Sequence, residues 1–92
     1  MDYMQHNLLI LRPGSKERVG AAADKIAMDP NGAELNYVPK MYEVLHATPL
    51  VNPQKTFSMT INVPDNVGDY PYICSFPGHW RIMNGVMKVI AK

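Results

Sequence analysis

The stretch "YPYICSFPGHWRIMNGVMKVI", residues 70–90, contains the chain's one cysteine and its one tryptophan. β-prone residues flank it: Tyr70, Tyr72 and Ile73 lead in, and Val86, Val89 and Ile90 lead out. Between them Pro77-Gly78 and Asn84-Gly85 are turn signals. The pattern predicts two strands, 70–76 and 85–92, joined by a loop. Into that loop the sequence puts a thiol, an imidazole five positions on and a thioether four further: Cys74, His79 and Met83.

Upstream, "KTFSMTINV" (55–63) alternates strictly, with Lys55, Phe57, Met59, Ile61 and Val63 on one face and polar residues on the other. Period two of this kind predicts a half-buried antiparallel strand. "PDNVGD" (64–69) is a turn, and "YEVLHAT" (42–48) predicts another strand. "HNLLILRPG" (6–14) is an apolar run closed by Pro13-Gly14, expected to be a buried strand. "SKERVGAAADKIAMDPNG" (15–32) holds the expected helix, with "DPNG" as its stop. Ser15 stands at the N-cap, Glu17 in the first turn, and Val19, Ala22, Ala23 and Ile26 follow at helical spacing. Residues 33–42 are expected to be irregular, and Met59 and Met87 to lie in the core. The whole is mostly β with one inserted helix, for which a β-sandwich is the natural architecture.

Ninety-two residues make a single domain, 1–92. A chain this short buries only about 60–65% of its unfolded surface, so a staple matters. One cysteine rules out an internal disulfide, which leaves a metal, a partner or packing alone. A net charge of +1 gives no reason to invoke nucleic acid. No apolar run reaches the ~20 residues of a membrane span, and no signal-peptide segment opens the sequence.

Cys74, His79 and Met83 offer S, N and S donors on one anchored loop. Thiolate and thioether with imidazole favour copper among common metals. A site of two histidines and a cysteine with a distant methionine needs one more histidine, and His6 and His46 are the candidates. His6 is chosen because Asn7 beside it offers an amide to brace the ligand loop. His46 sits mid-strand and is read as structural or surface. Structural zinc sites favour several cysteines and do not recruit methionine. A Cys–His nucleophile pair lacks an orienting third residue. Trp80 suits either packing or a rim beside His79.

The loop "YPYICSFPGHWRIMNGVMKV" resembles the C-terminal copper loop of the cupredoxins, in its Cys-x4-His-x3-Met spacing closer to azurin than to plastocyanin. "MQHNLLI" is similar to the segment carrying the first histidine ligand in that family. The resemblance implies a Greek-key β-sandwich holding one type 1 (blue) copper ion. His6, Cys74 and His79 would be equatorial ligands, Met83 axial, and the Gln5 carbonyl near the metal. It further implies one-electron transfer between Cu(I) and Cu(II), with redox partner proteins and a periplasmic or other extracytoplasmic bacterial location. A closed set of protein ligands leaves no place for substrate, so no enzyme is expected. The alternative is a copper-carrier or copper-dependent interaction module without electron transfer. The family's early strands have no counterpart before His6. The expectation is therefore a fragment of a longer chain, its exposed sheet edge covered by self-association into a homo-oligomer.

Overall fold

The structure, a computed structural model, describes residues 4–91. In chain order it comprises β1 (Leu9–Leu11), α1 (Lys16–Ala27), a short 3-10 helix (Gly32–Leu35), β2 (Val44–Ala47), β3 (Gly68–Ile73) and β4 (Asn84–Val89). The four strands form one antiparallel sheet in the order β2-β1-β3-β4.

β1 is short but central, and its three side chains explain why. Successive residues of a strand point to opposite faces. Leu9 and Leu11 pack with Val19 and Ala23 of α1 and with Ile73 and Trp80. Ile10 turns the other way, onto Tyr70 and Val89. A strand buried on both faces reads as an unbroken apolar run, which is what "LLIL" is.

α1 lies against the Leu9–Leu11 face through Val19, Gly20 and Ala23. Ser15 occupies the N-cap position, yet its hydroxyl donates back to the Arg12 carbonyl at 2.6 Å and caps no helical N–H. The helix ends at Ala27, just before the "DPNG" stop at 29–32. Asp29 Oδ1 accepts from the Asn31 N–H at 2.8 Å, a local turn that competes with further helix. Residues 33–42 are more ordered than the sequence suggested: the 3-10 turn leads into Asn36 and Tyr37, both left-handed with φ of 53° and 54°.

The clearest correction falls on residues 55–63. They form no strand, and Phe57, Met59 and Val63 are exposed. Ile61 alone reaches the core, packing against the Ile10, Tyr70 and Val89 cluster. Alternation reports which side chains share a face. A strand also needs a neighbouring edge for its N–H and C=O groups, and none of the described strands pairs with this segment. Met59 is thereby displaced from the expected core, while Met87 packs at its margin. Of a sandwich, the described residues form one sheet with α1 laid on one face.

The hairpin β3–β4 sets the site. Its ladder runs from Gly68↔Val89 to Ile73↔Asn84, so the connecting loop begins at Cys74 and ends at Met83. The Cys74 N–H donates to the Met83 carbonyl at 3.0 Å and closes that loop at its neck.

Candidate metal centre

His6, Cys74 and His79 come together although 68 residues separate the first two. Cys74 stands one residue beyond β3, at the central end of the sheet. His6 precedes β1 and is pinned by both of its backbone groups, which exchange hydrogen bonds with Val51 at 3.1 and 2.7 Å. His79 sits on a tight turn: its N–H donates to the Phe76 carbonyl at 2.9 Å, and its carbonyl accepts from Ile82 and Met83 at 3.1 and 2.7 Å. Gly78 makes the turn possible, because its φ of 82° lies in the left-handed region that side chains disfavour.

The donor atoms converge. Cys74 Sγ is 3.9 Å from His6 Nδ1 and 3.6 Å from His79 Nδ1, and the potential ligand atoms of all three residues lie within 4.8 Å of one another. The two imidazole rings stand 5.0 Å apart, tilted by 32°. A metal bonded to nitrogen at about 2.0 Å and to sulfur at about 2.3 Å, with the two bonds 120° apart, separates N from S by about 3.7 Å. Both observed S···N separations fall close to that value, so the three residues fit a trigonal metal site.

Burial suits the chemistry as well. Cys74 and His79 are 4% and 8% exposed. Burial, and then the nearby charge of His6, push the His79 imidazole below its ordinary pKa. A buried imidazole is costly to protonate, so at neutral pH His79 keeps the lone pair that a metal requires. Met83 joins the group through its main chain and, with Cys74, Asn7, Leu8 and Ile82, lines a shallow pocket. His46 is opposite Ile10 in β2, outside the cluster.

The support around the loop is a buried polar network. Asn7 donates from its amide to the Ser75 hydroxyl and the Asn36 carbonyl, each at 2.8 Å, and its Oδ1 accepts from the Ser75 N–H at 2.7 Å. The Ser75 hydroxyl donates to the Tyr37 carbonyl at 2.6 Å. The residues next to His6 and Cys74 are thus bonded to each other and to the left-handed pair Asn36-Tyr37. Sequence reasoning found Asn7 but missed Asn36 and Tyr37, whose contribution is two backbone carbonyls. The single available signal was Asn36 itself, a residue type that tolerates the left-handed conformation. Phe76 stacks edge-on against Tyr37 at 5.6 Å and lies 4.9 Å from the His79 ring.

Asn7→Ala strips the Ser75 N–H and the Asn36 carbonyl of their side-chain partner and leaves His6, Cys74 and His79 in place. Copper affinity, measured by competition with a chelator, is expected to fall roughly 10- to 100-fold, the usual effect of losing a ligand's hydrogen-bonded support. Unchanged affinity would show that the network stabilises the fold alone.

Comparison with known proteins agrees with this geometry. The profile of the copper binding proteins, plastocyanin/azurin family, matches residues 1–90. Auracyanin-A of Chloroflexus aurantiacus is 31% identical over 86 residues, covering 92% of this chain and 51% of that protein. Azurin-1 of Alcaligenes xylosoxydans xylosoxydans is 34% identical over 90 residues, covering 95% of this chain and 66% of azurin-1. The chain therefore spans about half to two thirds of the length of these relatives. The solved structure of auracyanin A, described as a "blue" copper protein, superimposes with a TM-score of 0.80 at 29% identity, over 97% of this chain and 70% of that one. The expected fold class, mostly β with one helix, is that of these neighbours, and copper is the metal of the family. A thiol and two imidazoles converging at the end of a cupredoxin-like sheet, under a family profile that spans nearly every residue, establish that the chain belongs to the plastocyanin/azurin family of copper-binding proteins.

Proposed function

We propose that the chain is an electron-transfer domain in which His6, Cys74 and His79 would hold one copper ion, with Met83 as a further, weaker thioether donor. The observation that carries this reading is the placement of Cys74 Sγ at 3.6 and 3.9 Å from two imidazole nitrogens. Copper, when bound, supplies a one-electron Cu(I)/Cu(II) couple. The chain's own part is to hold the donors still. The neck bond between Cys74 and Met83, the Val51 clamp on His6 and the Asn7 network limit how far the donors move, and small movement keeps electron transfer fast.

The chain also shields the donors. The Phe76 ring lies 4.9 Å from the His79 ring, Ile82 and Met83 donate their N–H groups to the His79 carbonyl, and the Ile82 side chain is 80% exposed. Such an apolar rim lets a redox partner exclude water without desolvating charge. Four protein donors leave no open position for a substrate, which favours a carrier over an enzyme. An extracytoplasmic location goes with this reading. Among the described residues no helix is long and apolar enough to cross a membrane.

The test is to add one equivalent of Cu(II) to the metal-free protein. The expected result is an intense blue colour, bleached by a mild reductant and restored by a mild oxidant through repeated cycles, with a one-electron wave in voltammetry. A protein that retains copper but stays colourless after oxidation would instead be a carrier of Cu(I).

A further inference from the structure

Helix α1 reaches the metal loop through one glycine and one carboxylate. Trp80, the residue after His79, is buried, and its indole N–H donates to Asp24 Oδ1 at 3.0 Å. Arg81 donates to the same carboxylate, from Nη2 to Oδ2 at 2.8 Å and from Nη1 to Oδ1 at 3.4 Å. The guanidinium carbon stands 4.6 Å from the Trp80 ring centroid. Against the indole lies Gly20, where an added Cβ would fall 2.4–2.5 Å from three ring atoms. Helix backbone and indole are in direct contact there, and only glycine permits it. Gly20 and Asp24 are four residues apart and so share one face of α1.

We propose that Asp24, with Gly20, is a positioning residue for the metal loop, acting through Trp80 and Arg81 to hold His79 and Met83 in their metal-binding arrangement. The proposal rests on the ligand reading above. Two consecutive loop residues are tied to one helical carboxylate, and the Asn84 amide donates to the carbonyls of the same two residues at 3.1 and 3.2 Å. The segment between His79 and Met83 is therefore fixed from the helix on one side and from the start of β4 on the other. A rotation of Trp80 passes to His79 through a single peptide bond. An exposed ion pair contributes little by itself. The indole N–H is different, because it is part-buried and loses its acceptor when Asp24 is removed. Arg81, followed by the Trp80 N–H, lowers the Asp24 pKa, so the acceptor stays ionised at neutral pH.

Trp80 is the chain's one tryptophan, so its fluorescence reports this contact alone. In metal-free Asp24→Ala the emission is expected to shift to the red and acrylamide quenching to rise. After loading with Cu(II), a chelator should remove the metal roughly tenfold faster than from the wild type. Asp24→Asn keeps an acceptor for the indole and should restore most of the wild-type emission and copper retention. An Asp24→Ala protein that melts earlier, yet keeps wild-type emission and chelator rate, would reduce Asp24 to an ordinary surface contact. Altered emission with an unchanged chelator rate would equally overturn the positioning role. If the wild type forms no blue complex, the ligand reading fails instead, and the metal-free emission still decides whether the helix holds the loop.

Discussion

Cys74→Ser is expected to abolish the blue absorption band completely, whereas Met83→Leu keeps the band and raises the reduction potential. The band of a cupric thiolate arises from covalency between sulfur and metal. A serine hydroxyl offers a harder oxygen that stays protonated at neutral pH, so neither the softness nor the charge of the thiolate is replaced. The serine protein retains two imidazoles at one point, enough for weak copper binding but not for colour. Met83 differs in kind. Its two hydrogen bonds to the rest of the loop, to the Cys74 N–H and the His79 carbonyl, are made by its main chain. Leucine keeps both, so the loop keeps its shape and loses only a weak thioether donor. Losing a weak thioether donor would disfavour Cu(II), which raises the potential. Absorption during Cu(II) titration and voltammetry on both variants check this. A Met83→Leu protein unable to bind Cu(II) would make Met83 a principal donor and overturn the assignment.

What was legible in the sequence was local. The loop carries Cys74, His79 and Met83 within ten positions, bounded by two strand signals, and a hairpin needs nothing from elsewhere to bring them near one another. The unbroken apolar run at Leu9–Leu11 likewise announced a strand buried on both faces. What stayed hidden was non-local. Residues 55–63 have the right alternation for a strand, but pairing depends on an edge that the segment's own residues cannot report. The role of Asn36 and Tyr37 is invisible for another reason: a carbonyl oxygen belongs to every residue, so a backbone acceptor leaves no mark in composition. Trp80 was ambiguous between rim and packing. Gly20 and Asp24, 60 and 56 positions away, decide it, because the first admits the ring against the helix and the second accepts its N–H. The brace amide of Asn7 was readable since it adjoins a histidine, and its placement 2.7 Å from the Ser75 nitrogen gives that adjacency a physical meaning.

His6→Gly is expected to lose the blue complex and to recover it when imidazole is added, while His46→Ala leaves the spectrum unchanged. His6 is held by its main chain, since both of its hydrogen bonds to Val51 are backbone to backbone. Glycine preserves them, so the variant removes a ring and little else. The space left behind is the size of the ligand that restores it, and His6 is only half-buried, which gives free imidazole a way in. Cys74 and His79 remain at their 3.6 Å separation, ready to complete the set. Recovery should saturate as imidazole is raised, as binding at one vacated position requires. His46 has no such place. It stands opposite Ile10 on β2, and its ring is not one of the two that converge on Cys74. Copper binding that vanished in His46→Ala but survived in His6→Gly would transfer the first ligand to β2. It would also leave the Val51 clamp on His6 without a metal to serve.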